Sequence, residues 1–339
     1  MKKLSFFEQF LFLVNSLIAF LFLFSLTLPY IKPSIFSNIT IFSLLTPLII
    51  ILNVLFLFFW IARLKRQFIL SLAVLLIGNN SVRSFVNFSN NSKFIGNNQI
   101  SIISYNVRLF NVYEWINKDN VTNRIQNFLF DKNADIISLQ EYQNTEFKLQ
   151  NYPYKYEKLR GNNFKYGQAI FSKYPIINKG SIDFNSQSNN AIFSDIKVNN
   201  DTIRVYNIHL ESFSLENEFE LSQINTNNEK IINNISNTFV KQEAQAKLIN
   251  NSIKTCPYNV IISGDFNNTA FSYIFNELSD DLNDGFKEKG NGFGITFNYN
   301  FIPLRIDFIL FDKVFKINHF ETHNINLSDH EPIYSEFTY

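Results

Sequence analysis

From Phe10 to Tyr30 the chain is almost unbroken Leu, Phe, Ile, Val and Ala, long enough to cross a hydrocarbon core of roughly 30 Å. A second run, from about Ile35 to Ile61, carries Trp60 where an interfacial aromatic belongs. Pro47 would kink that span without excluding it. A third stretch, Phe68 to Ile77, is short and is followed by Gly78-Asn79-Asn80. It suits an interfacial segment, or a span if extended through Val82 with Arg83 snorkelling at the far end. Lys2-Lys3 before an apolar run has the look of a signal peptide, but the run is too long and lacks a small-residue cleavage site. Asn87 to Asn98 is polar and reads as a linker. The pattern therefore predicts a membrane anchor over 1–88 with two or three transmembrane helices, a linker over 89–98 and a separate domain over 99–339.

Beyond the linker the apolar runs shorten to strand length. Ile100 to Val107 is a β-rich run, and Asn120 to Phe130 has helical spacing through Val121, Ile125, Phe128 and Leu129. Ala134 to Glu141 predicts a strand ending in an acid, and Phe171 to Pro175 a strand leaving into a turn. Ala191–Val198 and Thr202–Leu210 form a hairpin pattern around Asn199-Asn200-Asp201, with His209 at its end. Leu215 to Thr255 is long, polar and amphipathic, ending in a helix. The run Ile261-Ile262-Ser263-Gly264-Asp265 then leads into Phe266-Asn267. If that strand continues, Asp265 and Asn267 share one face and Phe266 turns to the core. Gly264, without a Cβ, lets a backbone or ligand approach the acid. A strand ending in a turn would also explain these residues, since Gly, Asp and Asn all favour turns. Phe271–Leu278 reads as a short helix, Leu304–Leu310 as a strand carrying Asp307, and Ser328-Asp329-His330 precedes the last strand.

Charge sharpens the division. Residues 1–88 hold 7 of the 30 Lys/Arg and only 1 of the 29 acids, Glu8, which leaves the remainder with a formal net charge of −5. A protein gripping duplex nucleic acid by its phosphates usually shows a basic surface, and this body has no such excess. Lys2-Lys3 and Arg63, Lys65, Arg66 are the densest positive clusters, with two spans between them. The positive-inside rule places both in the cytoplasm and the Lys32 loop outside. A third span then puts the body outside, and its absence would put the body inside. The expectation carried forward is three spans: an integral inner-membrane protein with its catalytic domain on the periplasmic or external side. The single Cys256 excludes an intramolecular disulfide and is expected to be a packing residue.

Asn106, Glu141, His209, Asp265 and Asn267 all fall at or just beyond strand ends, where loops carry chemistry on a rigid scaffold. Carboxylate and amide oxygens suit a hard cation such as Mg²⁺. No Cys/His set has zinc spacing, and neither Gly-x-Ser-x-Gly nor a Walker A motif occurs.

In order, Ser104-Tyr105-Asn106-Val107, Leu139-Gln140-Glu141, Ile170 to Pro175, Asn207-Ile208-His209-Leu210, Gly264-Asp265-Phe266-Asn267, Arg305 to Ile309 and Ser328-Asp329-His330 resemble the endonuclease/exonuclease/phosphatase (DNase I-like) superfamily. Joined to a multi-span head, the chain looks like a membrane-attached branch of Bacteroidetes type. The resemblance implies an α/β fold, a four-layer sandwich of two packed, mostly antiparallel sheets flanked by helices. It implies that Glu141 binds Mg²⁺ (or Mn²⁺), with Asn106 and Asp329 beside it. Asp265 would orient or deprotonate the attacking water, and Asn267 would hydrogen-bond the phosphoryl oxygens. His209 and His330 would contact the scissile phosphate, with Asp307 orienting His330.

The expected activity is metal-dependent hydrolysis of phosphodiester bonds, most readily of nuclease type. A lipid head-group (sphingomyelinase-like) phosphodiesterase or phosphatase is the alternative, and a catalytically silent phospho-ligand binder the second. The expected partners are a phosphodiester substrate, nucleic acid or phospholipid head group, and the lipid bilayer through the N-terminal helices; no protein partner is expected. A transporter is disfavoured, because the two clear spans lack intramembrane charges. Arg108 is expected to be a surface arginine, Tyr166-Gly167 structural, and His319 and His323 exposed.

Overall fold

The computed structural model describes residues 4–89, 99–143, 147–161, 165–184, 186, 189–213, 228–299 and 302–339. The expected linker, apart from residue 89, and the start of the polar Leu215–Thr255 stretch lie outside the described residues.

The head is helical: α1 (Phe6–Ser25), α2 (Pro33–Thr40), α3 (Thr46–Ala62), α4 (Phe68–Ile77) and α5 (Asn79–Phe85). Two stretches, Phe6–Tyr30 and Pro33–Ala62, are long and apolar enough to cross a membrane. A capping box of Ser5 and Glu8 starts α1, and Glu8 also holds Arg63 at 3.2 Å and Lys65 at 3.4 Å. Buried Asn15 ties three helices together, its Oδ1 accepting from Trp60 Nε1 of α3 and Ser71 Oγ of α4. A continuous third span through Val82 does not form. The chain bends by 81° between α4 and α5, and Arg83 donates to the Lys287 carbonyl instead of snorkelling. Gly78 marks the bend, where a Cβ would lie 2.5 Å from the Phe22 ring.

Strand β1 (Asn87–Phe88) leads out of the head. One six-stranded sheet contains β2 (Gln99–Asn106), β3 (Ile136–Gln143), β4 (Tyr154–Arg160) and β5 (Tyr166–Ser172), with β15 (Lys316–Thr322) and β16 (Ile333–Thr338) from the C-terminus. The other contains β6 (Ile176–Ile182), β7 (Asn190–Val198), β8 (Asp201–His209), β9 (Asn259–Asp265), β10 (Leu282–Asp284) and β14 (Asp307–Asp312). Their orders are β15-β16-β2-β3-β5-β4 and β10-β14-β9-β8-β7-β6. Short pairs complete the set: β11 (Asn291–Gly292) on β1, and β12 (Phe297–Tyr299) with β13 (Ile302–Leu304).

Strand alternation builds the layers. Ile100, Ile102, Ile136, Ile203, Val205 and Ile261 meet between the sheets. The opposite faces carry Ile103, Tyr105 and Ile137 toward α6 (Val121–Lys132), and Tyr206, Ile208 and Ile262 toward α7 (Asn228–Lys254) and α8 (Tyr273–Ser279). The small helix α9 (Gly285–Lys289) packs against β14 and β15. The result is the four-layer α/β sandwich anticipated above.

Each sheet contains one parallel pair, β2 with β3 and β8 with β9; all other pairings in the two sheets are antiparallel. Parallel neighbours finish at the same edge, so these two pairs set polar strand ends side by side. Between the sheets runs a buried amide bolt. Gln140 Nε2 donates to Asn207 Oδ1 at 2.7 Å, and Asn207 Nδ2 donates to the Leu139 and Ala169 carbonyls.

The head and the sandwich are in direct contact. Glu243 of α7 accepts from both the peptide N–H and the hydroxyl of Ser34, and Ser236 donates to Asn38. Phe271 leaves the sandwich to pack with Ala19, Phe22, Ile50 and Val74. Arg305, paired with Asp284, also donates to the Ser84 carbonyl.

Candidate active site

The ends of the two parallel pairs converge. In register, His209 of β8 lies beside Asp265 of β9, and Asp307 of antiparallel β14 lies across from Asp265. From the other sheet, Asn106 ends β2 and Glu141 sits in β3 at a register shift between Leu139 and Tyr142. Glu141 is therefore at a bulge inside a strand, not at its end. The bulge explains its φ of +49° and re-aims its side chain.

Gly264 behaves as anticipated: a Cβ there would meet the Ile208 carbonyl oxygen at 2.0 Å. The strand, however, stops at Asp265. Asn267 turns left-handed, with φ +49°, and its N–H caps Asp265 Oδ1 at 2.8 Å, an Asx-type turn. Phe266 does enter the core. Asn267 Nδ2 donates to the Leu210 carbonyl at 2.9 Å, which leaves its second amide hydrogen uncommitted.

Asp265 is the hub. Its Oδ2 accepts from Asn106 Nδ2 at 3.0 Å and lies 3.7 Å from His209 Nε2 and 3.6 Å from His330 Nε2. Burial, with help from Asp307, pushes its carboxyl up to about 6 against the pull of His330 and His209. His330 meets Asp307 through Nδ1 at 2.9 Å. Burial alone would lower its pKa, but the charges of Asp307 and Asp265 outweigh that and raise it well above the usual imidazole value. His209, equally buried, is shifted down by desolvation and stays neutral. The two histidines thus differ in charge: one has a carboxylate partner in hydrogen-bond contact and the other has none so close.

Glu141 takes a hydrogen bond from Asn106 Nδ2 at 3.2 Å and lies 3.8 Å from His209. Its pKa is raised by burial and then by Asp329. Asn106 bridges Glu141 and Asp265 through its amide nitrogen, while its oxygen accepts from Arg108 N at 3.1 Å. Asp329 pairs with Arg108 at 3.0 Å, and the Arg108 guanidinium lies 4.4 Å from the Trp115 ring centre. Arg108 is therefore no free surface arginine; its side chain is 19% exposed and belongs to the site's rim.

Two groupings could hold a cation. Asp265, Asp307 and His330 have ligand atoms within 4.8 Å of one another. In that group His330 Nδ1 is already engaged by Asp307 at 2.9 Å, so only its Nε2 faces Asp265. Glu141 and Asp329 offer carboxylate oxygens, as a hard cation prefers, while Asn106 beside them turns its amide nitrogen to Glu141 and its oxygen to Arg108 N. The like-charge pressure of Asp329 on Glu141 is what such a cation would relieve. The carboxylates suit a hard divalent cation.

All eight expected site residues gather at this end of the sandwich. Arg108, Trp115 and the Gln140–Asn207 bolt carry no expected role in the sequence reading. The signal for the bolt was present, since each is a buried polar side chain within two positions of a site residue. His319 and His323 stand apart from the site. His323 is buried, contrary to expectation, against Phe128 and Tyr334.

Comparison with known proteins agrees with this geometry. A sequence profile of the Endonuclease/Exonuclease/phosphatase family matches residues 103–330. Residues 8–85 match a profile described only as a domain of unknown function. None of the curated proteins matches significantly in sequence. Among solved structures, D. rerio TDP2 carrying 14 humanizing mutations is similar, with TM-score 0.54, 17% identity and coverage of 71% of this chain and 99% of that one. D. rerio TDP2 complexed with single-strand DNA product gives 0.52, 16%, 71% and 99%. An endonuclease/exonuclease/phosphatase from Bacteroides vulgatus gives 0.54, 17%, 71% and 98%. Sheet topology, converging acids and histidines, and a profile match over most of the sandwich lead to one assignment: this chain belongs to the endonuclease/exonuclease/phosphatase family of metal-dependent phosphoesterases.

Proposed function

We propose that the chain is a membrane-anchored, Mg²⁺-dependent phosphodiesterase of nuclease type, with its catalytic domain on the external side of the inner membrane. The observation carrying the chemistry is the buried hub of Asp265, 3.6 Å from His330 Nε2 and 3.7 Å from His209 Nε2, with His330 held by Asp307 at 2.9 Å. Hydrolysis of a phosphate ester builds negative charge on the equatorial oxygens. His330, held by Asp307, is set to donate a hydrogen bond to one of them, and Asn267 offers its free amide hydrogen. Asp265 accepts a hydrogen bond from the attacking water; with its pKa near 6 it orients the water and takes its proton only as the new bond forms. Glu141, Asn106 and Asp329 would hold Mg²⁺, which supplies charge neutralisation at the phosphoryl group. These roles extend the resemblance residue by residue.

Contacts of the head support the topology. The 26–45 segment between α1 and α3 packs on the sandwich through Ser34, Asn38 and Leu44. Glu8, Arg63 and Lys65 gather at the opposite end of the bundle. The positive-inside rule assigns that end to the cytoplasm, so the sandwich belongs outside. α4 then returns the chain outward, reaching Phe22 and Leu26 at Gly78. With the bent pair of α4 and α5 counted as one broken span, this is the three-crossing arrangement.

A lipid head-group phosphodiesterase is the second reading, favoured by Phe271. It follows Asn267 by four positions, a reach of at most ~14 Å, and is embedded among the anchor helices, so the site stands close to the bilayer.

The test uses the full-length protein in mild detergent, with Mg²⁺ or EDTA. The substrates are plasmid DNA, single-stranded RNA, sphingomyelin and bis-p-nitrophenyl phosphate, with Asp265→Asn and His330→Gln as controls. Metal-dependent turnover of nucleic acid, lost in both variants, supports the nuclease reading. Turnover of sphingomyelin alone replaces it with the second reading. Folded but inert wild type on every substrate would favour a phospho-ligand binder.

A further inference from the structure

Where the head meets the sandwich there is a cavity of about 390 Å³. Its lining shares no residue with the catalytic hub and includes the end of α1 and the bend between α4 and α5. Leu26, Tyr30 and Ile77 form its membrane-side wall, and Ser81, Asn276 and Ser279 contribute hydroxyls and an amide from the other side. Lys287 also lines it and is half-buried. Its carbonyl is clamped by Arg83 Nη2 at 2.7 Å and Asn87 Nδ2 at 2.9 Å, so the residue is fixed in place. Its ammonium, however, has no ion pair or hydrogen bond among the described residues. Burial correspondingly lowers its pKa. Asp284, three positions earlier, is paired with Arg305 at 2.9 Å, and it and the adjacent Glu288 act on Lys287 only at longer range. At the rim, Asp280 and Glu288 are exposed carboxylates, likewise without ion-pair partners among the described residues.

A half-buried cation with no counter-ion in contact gains when an anion joins it. A purely anionic head group would answer Lys287 but would also face two unpaired carboxylates. A zwitterion answers both. We propose that this cavity binds the head group of a bilayer phospholipid bearing a phosphate and a primary ammonium, with the phosphate on Lys287 and the ammonium toward Asp280 and Glu288. The acyl chains leave past Leu26 and Ile77, along apolar helix surface already exposed to the bilayer. The site rests on α1 and α3 being membrane crossings, with α4 and α5 as a broken third, and it is independent of the substrate hydrolysed.

The experiment uses the full-length protein in mild detergent, read by native mass spectrometry and melting temperature. The probes are dioctanoyl phosphatidylethanolamine, dioctanoyl phosphatidylglycerol, phosphoethanolamine and inorganic phosphate. Wild type should hold phosphatidylethanolamine over phosphatidylglycerol, and Lys287→Gln should weaken that binding about tenfold, the scale of one charge-assisted contact. Lys287→Arg should retain it, which separates loss of charge from loss of fold. Asp280→Asn with Glu288→Gln should erase the preference while leaving phosphate recognition. Equal binding of both lipids by wild type and Lys287→Gln would overturn the proposal. Equal binding of phosphoethanolamine and the lipid would overturn the lipid assignment in favour of a soluble ligand. Release of the protein from membranes by carbonate would instead refute the anchor reading, whatever the cavity binds.

Discussion

Two buried charged groupings in this molecule invite comparison. Asp195 and Arg204 face each other across β7 and β8, bonded at 2.6 and 2.8 Å, with the guanidinium over the Phe193 ring. One acid meets one base, and each has its partner within the fold. Around Asp265, four carboxylates (Glu141, Asp265, Asp307, Asp329) share two cations, Arg108 and the protonated His330. The excess shows in the raised acids, Asp265 and Glu141. A balanced pair is structure; an unbalanced set is stored demand for a ligand, and the fold tolerates it where a ligand is to come.

The largest effect that would break this contrast is on turnover. Asp265→Asn should reduce phosphodiesterase activity by about three orders of magnitude or more. Its melting temperature should hold or rise, because a crowded buried acid has been removed. A fall in stability matching the loss of activity would count Asp265 as structural. The converse holds for Asp195→Ala, which strands Arg204 in the interior and should cost about 3–5 kcal/mol in denaturant unfolding while activity per folded molecule stays unchanged. An apolar replacement of both partners, Asp195→Leu with Arg204→Met, should recover much of that loss.

A smaller effect sharpens the role of the bolt. Gln140→Leu leaves Asn207 Oδ1 without its donor and should destabilise by about 1–3 kcal/mol. A modest drop in activity should follow through Glu141, its neighbour in sequence. The smallest is a pH effect far from the site. Burial depresses His323 to about 4, so in the range from about 6.5 to 4 the unfolded chain takes up a proton that the folded chain refuses. Stability should therefore decline as pH falls through that window. His323→Phe, set among Phe128 and Tyr334, should flatten this slope in melting temperature against pH.

The site was legible because its acids and histidines terminate or adjoin apolar strands, and alternation fixes where such residues point. The sandwich was legible for the same reason, with exceptions. Tyr154–Arg160, with Lys155, Glu157, Lys158 and Arg160, and Ile176–Ile182, with Asn178 and Lys179, are edge strands, and edges carry polar residues that hide the alternation. The bulge at Glu141 has no local signature, as it depends on the register of β5. The docking of the head was beyond reach for a further reason. Ser34 and Glu243 are 209 positions apart, and neither is unusual where it stands.

Phe271 ties the loop after Asp265 into the packing of the N-terminal helices, and Ser34 and Arg305 add contacts between those helices and the sandwich. A domain on a loose tether searches a volume; one fused to its own anchor searches a plane. In a bilayer, its encounters would then scale with how densely substrate crowds the membrane surface, and a soluble polymer would be cut only along the length that lies down on that surface.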